Sequence, residues 1–197
     1  MFKIIILMEN KDFIMNYKNI PNILSVSRIF LSVVFGWYLN NLLSHNQEII
    51  IPLVVFILIL ATDFFDGLIA RKTSNTTDMG AFLDVSADMF FVLVSYLILS
   101  LNSLLHPLFI LVLIFKFVEF IYTSGKKNTG KLVFDSLGKN VSKFWIAFPG
   151  IVCILCYYRI DSLVLIINAV ALITTILSLL STITRIVESR KQYEFIG

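Results

Sequence analysis

Asp63, Asp66, Asp84 and Asp88 lie in stretches of chain that otherwise read as membrane-embedded. An ionised side chain at membrane depth costs roughly 3 kcal/mol on insertion scales unless it meets a counter-charge or a water-filled cavity. Four such groups require a strong compensating interaction, and bound divalent cation is the simplest. Neither His nor Cys accompanies the aspartates, so the donors are hard oxygens, which suit Mg²⁺ or Mn²⁺ rather than zinc. Paired cations recur where a phosphoryl or phosphodiester bond is exchanged, clamping the attacking and leaving oxygens.

The spacing places these residues. Around the acids the chain reads D-x2-D-G-x2-A-R-x8-G-x3-D-x3-D, from Asp63 through Asp66, Gly67, Ala70, Arg71, Gly80 and Asp84 to Asp88. Steps of three, four and seven put Asp63, Asp66, Gly67, Ala70 and Arg71 on one helical stripe, and Thr77, Gly80, Asp84 and Asp88 repeat the pattern. Asp63 and Asp66 are then separated by about 4.5 Å along their axis, and Asp84 and Asp88 by about 6 Å. The connection 72–79 is short, which predicts antiparallel neighbouring helices whose carboxylate stripes face each other. Glycine at 67 and 80 lets a diphosphate or a facing helix approach the backbone. Arg71 offers a planar fork matched to phosphate oxygens.

This pattern resembles the signature of the CDP-alcohol phosphatidyltransferases at every fixed position. Chance agreement of the eight fixed residues at a given start is on the order of 10⁻⁹ or less. The resemblance extends upstream to Asn19-Ile-Pro-Asn-Ile-Leu-Ser25 and Arg28, similar to the family's N-I-P-N-x-L-T opening with Ser25 in place of Thr. It implies that Asp63, Asp66 and Asp84 hold two divalent ions, with Asp88 adding to the second. It further implies that Gly67, Arg71, Thr77 and Gly80 meet the diphosphate of a CDP-linked lipid, while Asn22 and Ser25 line the nucleotide side. Asp88 is the implied general base, taking the proton from an acceptor hydroxyl as CMP departs. CDP-diacylglycerol, a small alcohol and a homodimeric assembly are implied by the same resemblance, and no nucleic-acid partner is expected. The acceptor most resembles glycerol 3-phosphate; serine, inositol phosphate or phosphatidylglycerol remain as alternatives, because the motif reports only the CDP side. Lys139 and Lys143, in Asp135-Ser-Leu-Gly-Lys139-Asn-Val-Ser-Lys143, stand where family members carry basic residues that engage a phosphorylated acceptor; as plain sequence they also suit membrane anchors.

Composition points to a membrane protein independently. The 197 residues are 58% hydrophobic and 15% charged, with a mean hydropathy of +0.88, which excludes an ordinary soluble domain. Six apolar windows of membrane-spanning length occur at 23–43, 49–70, 80–101, 104–123, 141–158 and 162–183. The fold class expected is an all-α six-transmembrane-helix bundle with a cytoplasm-facing polar cavity. Its membrane domain occupies 21–187, between an N-terminal segment 1–20 and a tail 188–197. Of the 16 Lys and Arg, only Arg159 falls in the connections around 40–48, 100–106 and 159–161. By the positive-inside rule both termini and the aspartates face the cytoplasm; the family resemblance implies the cell (inner or cytoplasmic) membrane. The net charge of +3 suits an anionic lipid surface.

The remaining features are weaker. Residues 1–18 lack a cleavage signature and read as an interfacial helix. Gly125-Lys-Lys-Asn-Thr-Gly-Lys131 imitates a P-loop, but Leu132 stands where Ser or Thr is required. Cys153 and Cys156 have redox spacing inside an apolar helix, where packing is the plainer reading. Lys116 and Glu119, a charged pair at i, i+3, form either a structural ion pair or part of a cavity lining. A divalent-cation transporter is the alternative from another class, although it leaves the positions of Gly67, Arg71 and Gly80 unexplained.

Overall fold

A computed structural model describes residues 20–45, 48–73, 78–125, 136–158 and 162–194. Among these are six helices: α1 (Ile20–His45), α2 (Ile50–Thr73), α3 (Asp78–Leu101), α4 (Leu108–Gly125), α5 (Ser136–Tyr157) and α6 (Leu163–Glu194). Residues 1–18, and most of the P-loop-like segment, lie outside the described residues. Five helices carry apolar runs long enough to cross a membrane: Asn22–Ser44, Ile50–Ile69, Met79–Leu101, Gly138–Tyr157 and Leu163–Thr184. The other, α4, is 18 residues long and bears Lys116 and Glu119 near its middle. Large apolar side chains such as Phe30, Trp37, Leu111 and Leu165 point outward and exposed, as they do in a protein whose surrounding solvent is lipid. The chain is a multi-pass membrane protein.

Helix α1 is the axis of the fold. Ser25, Arg28, Ser32, Phe35, Leu39 and Leu42 recur at alternating steps of three and four and are all buried, forming one continuous inward stripe. Both α2 and α3 pack most extensively against this helix and make no comparable contact with each other among the described residues. The two helices, expected to be neighbours with facing carboxylate stripes, do meet through side chains such as Phe56 and Phe91, while the extensive backbone packing of each is against α1. Small residues on α1 explain the arrangement: a Cβ on Gly36 would stand 2.7 Å from the Val94 side chain of α3, so only glycine admits so close an approach.

Below the charged residues lies an aromatic layer. Phe35, Phe56 and Phe91 come from α1, α2 and α3, with ring centroids 5.3–6.1 Å apart. Each stands seven residues from a charged group, Arg28, Asp63 and Asp84 respectively, so the rings form a floor two helical turns, about 10 Å, beneath the charges. Helix α5 joins the floor where Pro149 interrupts its hydrogen-bond ladder, since Gly150 abuts the Phe56 ring so closely that a Cβ there would overlap it.

At the opposite end, amides hold the bundle together. Asn102 donates to Asn40 Oδ1 at 3.0 Å and accepts from the Ser44 hydroxyl at 3.1 Å. Asn168 of α6 accepts from the His106 backbone N–H and donates to the Leu104 carbonyl. That turn also explains why α4 starts four residues later than its apolar window. Ser103 adopts a positive φ of 59°, and Leu104 and Leu105 fold back to donate to the Leu99 carbonyl, which closes α3. His106 Nδ1 then accepts from the Leu108 N–H, which opens α4 just beyond Pro107.

Candidate active site

Two stripes of acid and one arginine meet at the upper end of α1. Arg28, 0% exposed, directs its fork between α2 and α3. Its Nη1 donates to Asp84 Oδ1 at 2.9 Å and to Asp88 Oδ1 at 2.5 Å, and stands 3.4 Å from Asp63 Oδ1; Nη2 donates to Asp66 Oδ2 at 2.5 Å. All four sequence-identified aspartates thus converge, and they converge on a residue of a third helix. Among the described residues the Nε of Arg28 has no partner, and the side-chain acceptors that this guanidinium meets are the aspartates. The Ser32 hydroxyl donates to the Arg28 carbonyl at 2.7 Å and adds a polar contact within the stripe.

One guanidinium against four carboxylates leaves three formal negative charges uncompensated when the acids are ionised. A divalent cation fits that deficit. One carboxylate oxygen each of Asp63, Asp66 and Asp84 lie within 4.8 Å of one another, a spacing that a single cation can share, and all are hard donors. Access is graded. The Asp66 side chain is 4% exposed, whereas Asp88, Asp84 and Asp63 are 26%, 38% and 48% exposed, so the cluster is closed on the α1 side and open on the other.

The open side leads into a cavity of about 270 Å³ between α3, α4, α5 and α6. Asp63, Asp84 and Asp88 form its acidic wall, and Lys116, Lys139 and Lys143 supply cationic groups among its other lining residues. Lys139 and Lys143, one turn apart on α5, are exposed. Lys116 is buried and held from two helices: its Nζ donates to Glu119 Oε2 at 3.0 Å and to the Thr182 hydroxyl of α6 at 2.6 Å. Both readings of the Lys116–Glu119 pair therefore apply, an ion pair and a cavity wall. Apolar surface from Phe117, Phe120 and Trp145 fills much of the remaining lining.

The other sequence-identified residues are placed as follows. Ser25 is buried on the Arg28 stripe, Asn22 is half-buried one turn earlier, and Gly67 and Gly80 are half-buried on α2 and α3. Arg71 lies in the last turn of α2, but its side chain is outside the described residues, as is Thr77. Cys153 is buried and Cys156 half-buried, both free thiols within α5. Sequence reasoning did not assign Arg28 a place in the cluster, although a lone cation inside an apolar helix is itself a signal that a counter-charge must meet it. Ser178 and Ser181 of α6, which also line the cavity, carried no such signal.

The fold and site define a class: a multi-pass helical membrane protein with a carboxylate cluster fit for divalent cation, opening onto a cavity that also carries lysines. The sequence matches the family described as CDP-alcohol phosphatidyltransferase over residues 18–187, and the chain belongs to that family. It is a phosphatidyltransferase enzyme. Among curated relatives, a CDP-diacylglycerol–glycerol-3-phosphate 3-phosphatidyltransferase of Aquifex aeolicus is 32% identical over 170 residues, covering 83% of this chain and 91% of the relative. Proteins of the same description from Rickettsia felis and Pseudomonas fluorescens are each 38% identical over shorter stretches, 73 and 81 residues, covering 36% and 41% of this chain and 38% and 40% of theirs.

Proposed function

We propose that this protein transfers the phosphatidyl group of CDP-diacylglycerol to a hydroxyl of glycerol 3-phosphate. The acceptor oxygen forms a bond to the lipid-bearing phosphorus, the bond from that phosphorus to the CMP oxygen breaks, and the hydroxyl proton is lost. The observation that carries this reading is the cavity with Asp63, Asp84 and Asp88 on one wall and Lys116, Lys139 and Lys143 also in its lining. It can present a diphosphate to the acids, through cations, while lysines hold the phosphate of an anionic acceptor. The naming of the relatives supports the same acceptor.

Each residue then has a task. Asp63, Asp66, Asp84 and Asp88 hold two divalent ions, Mg²⁺ or Mn²⁺, which when bound neutralise the diphosphate oxygens and the charge developing on CMP. Asp88 accepts the hydroxyl proton of the acceptor. Gly67, Arg71, Thr77 and Gly80 receive the diphosphate, and Asn22 and Ser25 the nucleotide. Lys139 and Lys143, with Lys116 behind them, orient glycerol 3-phosphate so that its hydroxyl rather than its phosphate reaches the reacting phosphorus.

The catalytic unit is residues 21–187, between a short N-terminal segment and a tail. All six helices span a bacterial inner membrane, with both termini and the cavity on the cytoplasmic side, where the basic connections lie and where nucleotide-activated lipid is available. Assembly as a homodimer follows from the family resemblance. The test is CMP release from CDP-diacylglycerol by purified protein, offered glycerol 3-phosphate, serine, inositol 1-phosphate or phosphatidylglycerol, with Mg²⁺, Mn²⁺ or EDTA. Release with glycerol 3-phosphate and divalent cation alone is expected. Release with another acceptor reassigns the substrate, and cation flux without CMP release overturns the transferase reading.

A further inference from the structure

We propose that Arg28 is the built-in counter-ion of the carboxylate site: it offsets part of the negative charge of the four acids when no divalent cation is bound and yields part of its hydrogen bonds when one arrives, thereby setting how tightly the site takes the cation. The inference rests on the divalent-cation reading above and extends it to a residue on a different helix. Arg28 touches one oxygen of every aspartate in the cluster, including Asp63, Asp66 and Asp84, whose oxygens are close enough to share a cation. A cation entering among them must compete with the guanidinium for the same oxygens and is repelled by its charge. The side chain is fully buried, and among the described residues its Nε has no acceptor, so none of them offers it a replacement for the aspartates when it yields.

Two opposite consequences of removing Arg28 have to be weighed. Losing the arginine relieves the competition, which tightens cation binding; losing it also lets four like charges push apart, which loosens binding. The backbone decides between them. Asp63 and Asp66 are fixed on α2, and Asp84 and Asp88 on α3, and both helices are locked to α1 by the Phe35, Phe56 and Phe91 rings and by the close approach at Gly36, neither of which uses Arg28. The acids therefore remain gathered on a rigid frame without it, and relief of competition dominates.

The experiment is a Mn²⁺ titration of detergent-purified protein without CDP-lipid, following the paramagnetic resonance signal of free Mn²⁺, paired with thermal unfolding in EDTA. Arg28→Gln is expected to bind Mn²⁺ about tenfold more tightly than wild type. It is also expected to unfold at a lower temperature in EDTA and to regain that loss when Mn²⁺ is added. A residue that only supports the fold would give the reverse, weaker binding. Arg28→Lys keeps the charge but loses the fork; unfolding at a lower temperature in EDTA with an affinity within about twofold of wild type supports the proposal, and this variant decides the matter if Arg28→Gln does not accumulate. Binding by Arg28→Gln equal to or weaker than wild type, or binding by Arg28→Lys about tenfold weaker, overturns the role of Arg28 alone. Absence of Mn²⁺ binding by the wild type overturns the cation reading itself, and this role with it.

Discussion

A guanidinium shared by four carboxylates makes the individual aspartates unequal. Asp66 is buried behind Arg28, whereas Asp84 is partly open and lines the cavity. Asp84→Asn replaces an anionic donor by a neutral amide that binds Mg²⁺ or Mn²⁺ poorly, while it also relieves repulsion within the cluster. The expected outcome is loss of CMP release by about a hundredfold or more, with a thermal midpoint in EDTA equal to or above that of wild type; turnover near the wild-type rate would contradict the metal assignment. Lys116 poses a different balance. Lys116→Met takes the ammonium away from the Glu119 carboxylate and is expected to destabilise the protein by about 1.5–3 kcal/mol, whereas Lys116→Met with Glu119→Leu should recover most of that loss. Unfolding of both variants in detergent checks the difference, and equal destabilisation would show that the loss comes from the Lys116–Thr182 contact between α4 and α6 rather than from the charge on Glu119.

At the scale of elements, the site depends on how closely helices approach the aromatic floor. Between apolar helices in lipid there is little hydrophobic drive, so van der Waals fit carries the association. Gly150 of α5 against Phe56 of α2 is the tightest such contact among the described glycines. Gly150→Ala is expected to cost about 1–3 kcal/mol, because Phe56 must leave its position against Phe35 and Phe91. Chemical denaturation in detergent reads that loss, and an unchanged stability would mean that α5 shifts freely on α2. The periodicity of α2 and α3 revealed which residues of each share a face, but not that those faces meet α1. Nor did it reveal that α4 begins late, since that boundary is set by the fold-back onto Leu99 and by the Asn168 side chain from α6.

For the whole molecule, the question is which way it sits in the membrane. The acids and the amide cluster of Asn40, Asn102 and Asn168 lie at opposite ends of the bundle: from Asp88 to Leu101 along α3 is about 20 Å. Glu48, exposed between α1 and α2, belongs to the end away from the acids. In a background lacking Cys153 and Cys156, Glu48→Cys is expected to react with a membrane-impermeant maleimide in intact spheroplasts. Met79→Cys, exposed at the acid end of α3, is expected to react only after permeabilisation. The opposite pattern would place the aspartates outside the cell, away from any nucleotide-activated substrate.

Sequence alone determined that Asp63, Asp66, Asp84 and Asp88 form two helical stripes in an apolar chain, that such stripes demand a positive partner, and that most of the chain crosses a membrane. These follow from helical period and from the cost of charge in lipid, both of which are local properties. Only the tertiary structure decided that Arg28 stands at the centre, 38 residues before the Asp66 it binds and 60 before Asp88. The same holds for Thr182, which grips Lys116 across 66 residues. A helix fixes which side chains share a face, but which face meets which is settled by the packing of all helices at once, through contacts such as Gly36 on Val94 and Gly150 on Phe56 that no local period encodes.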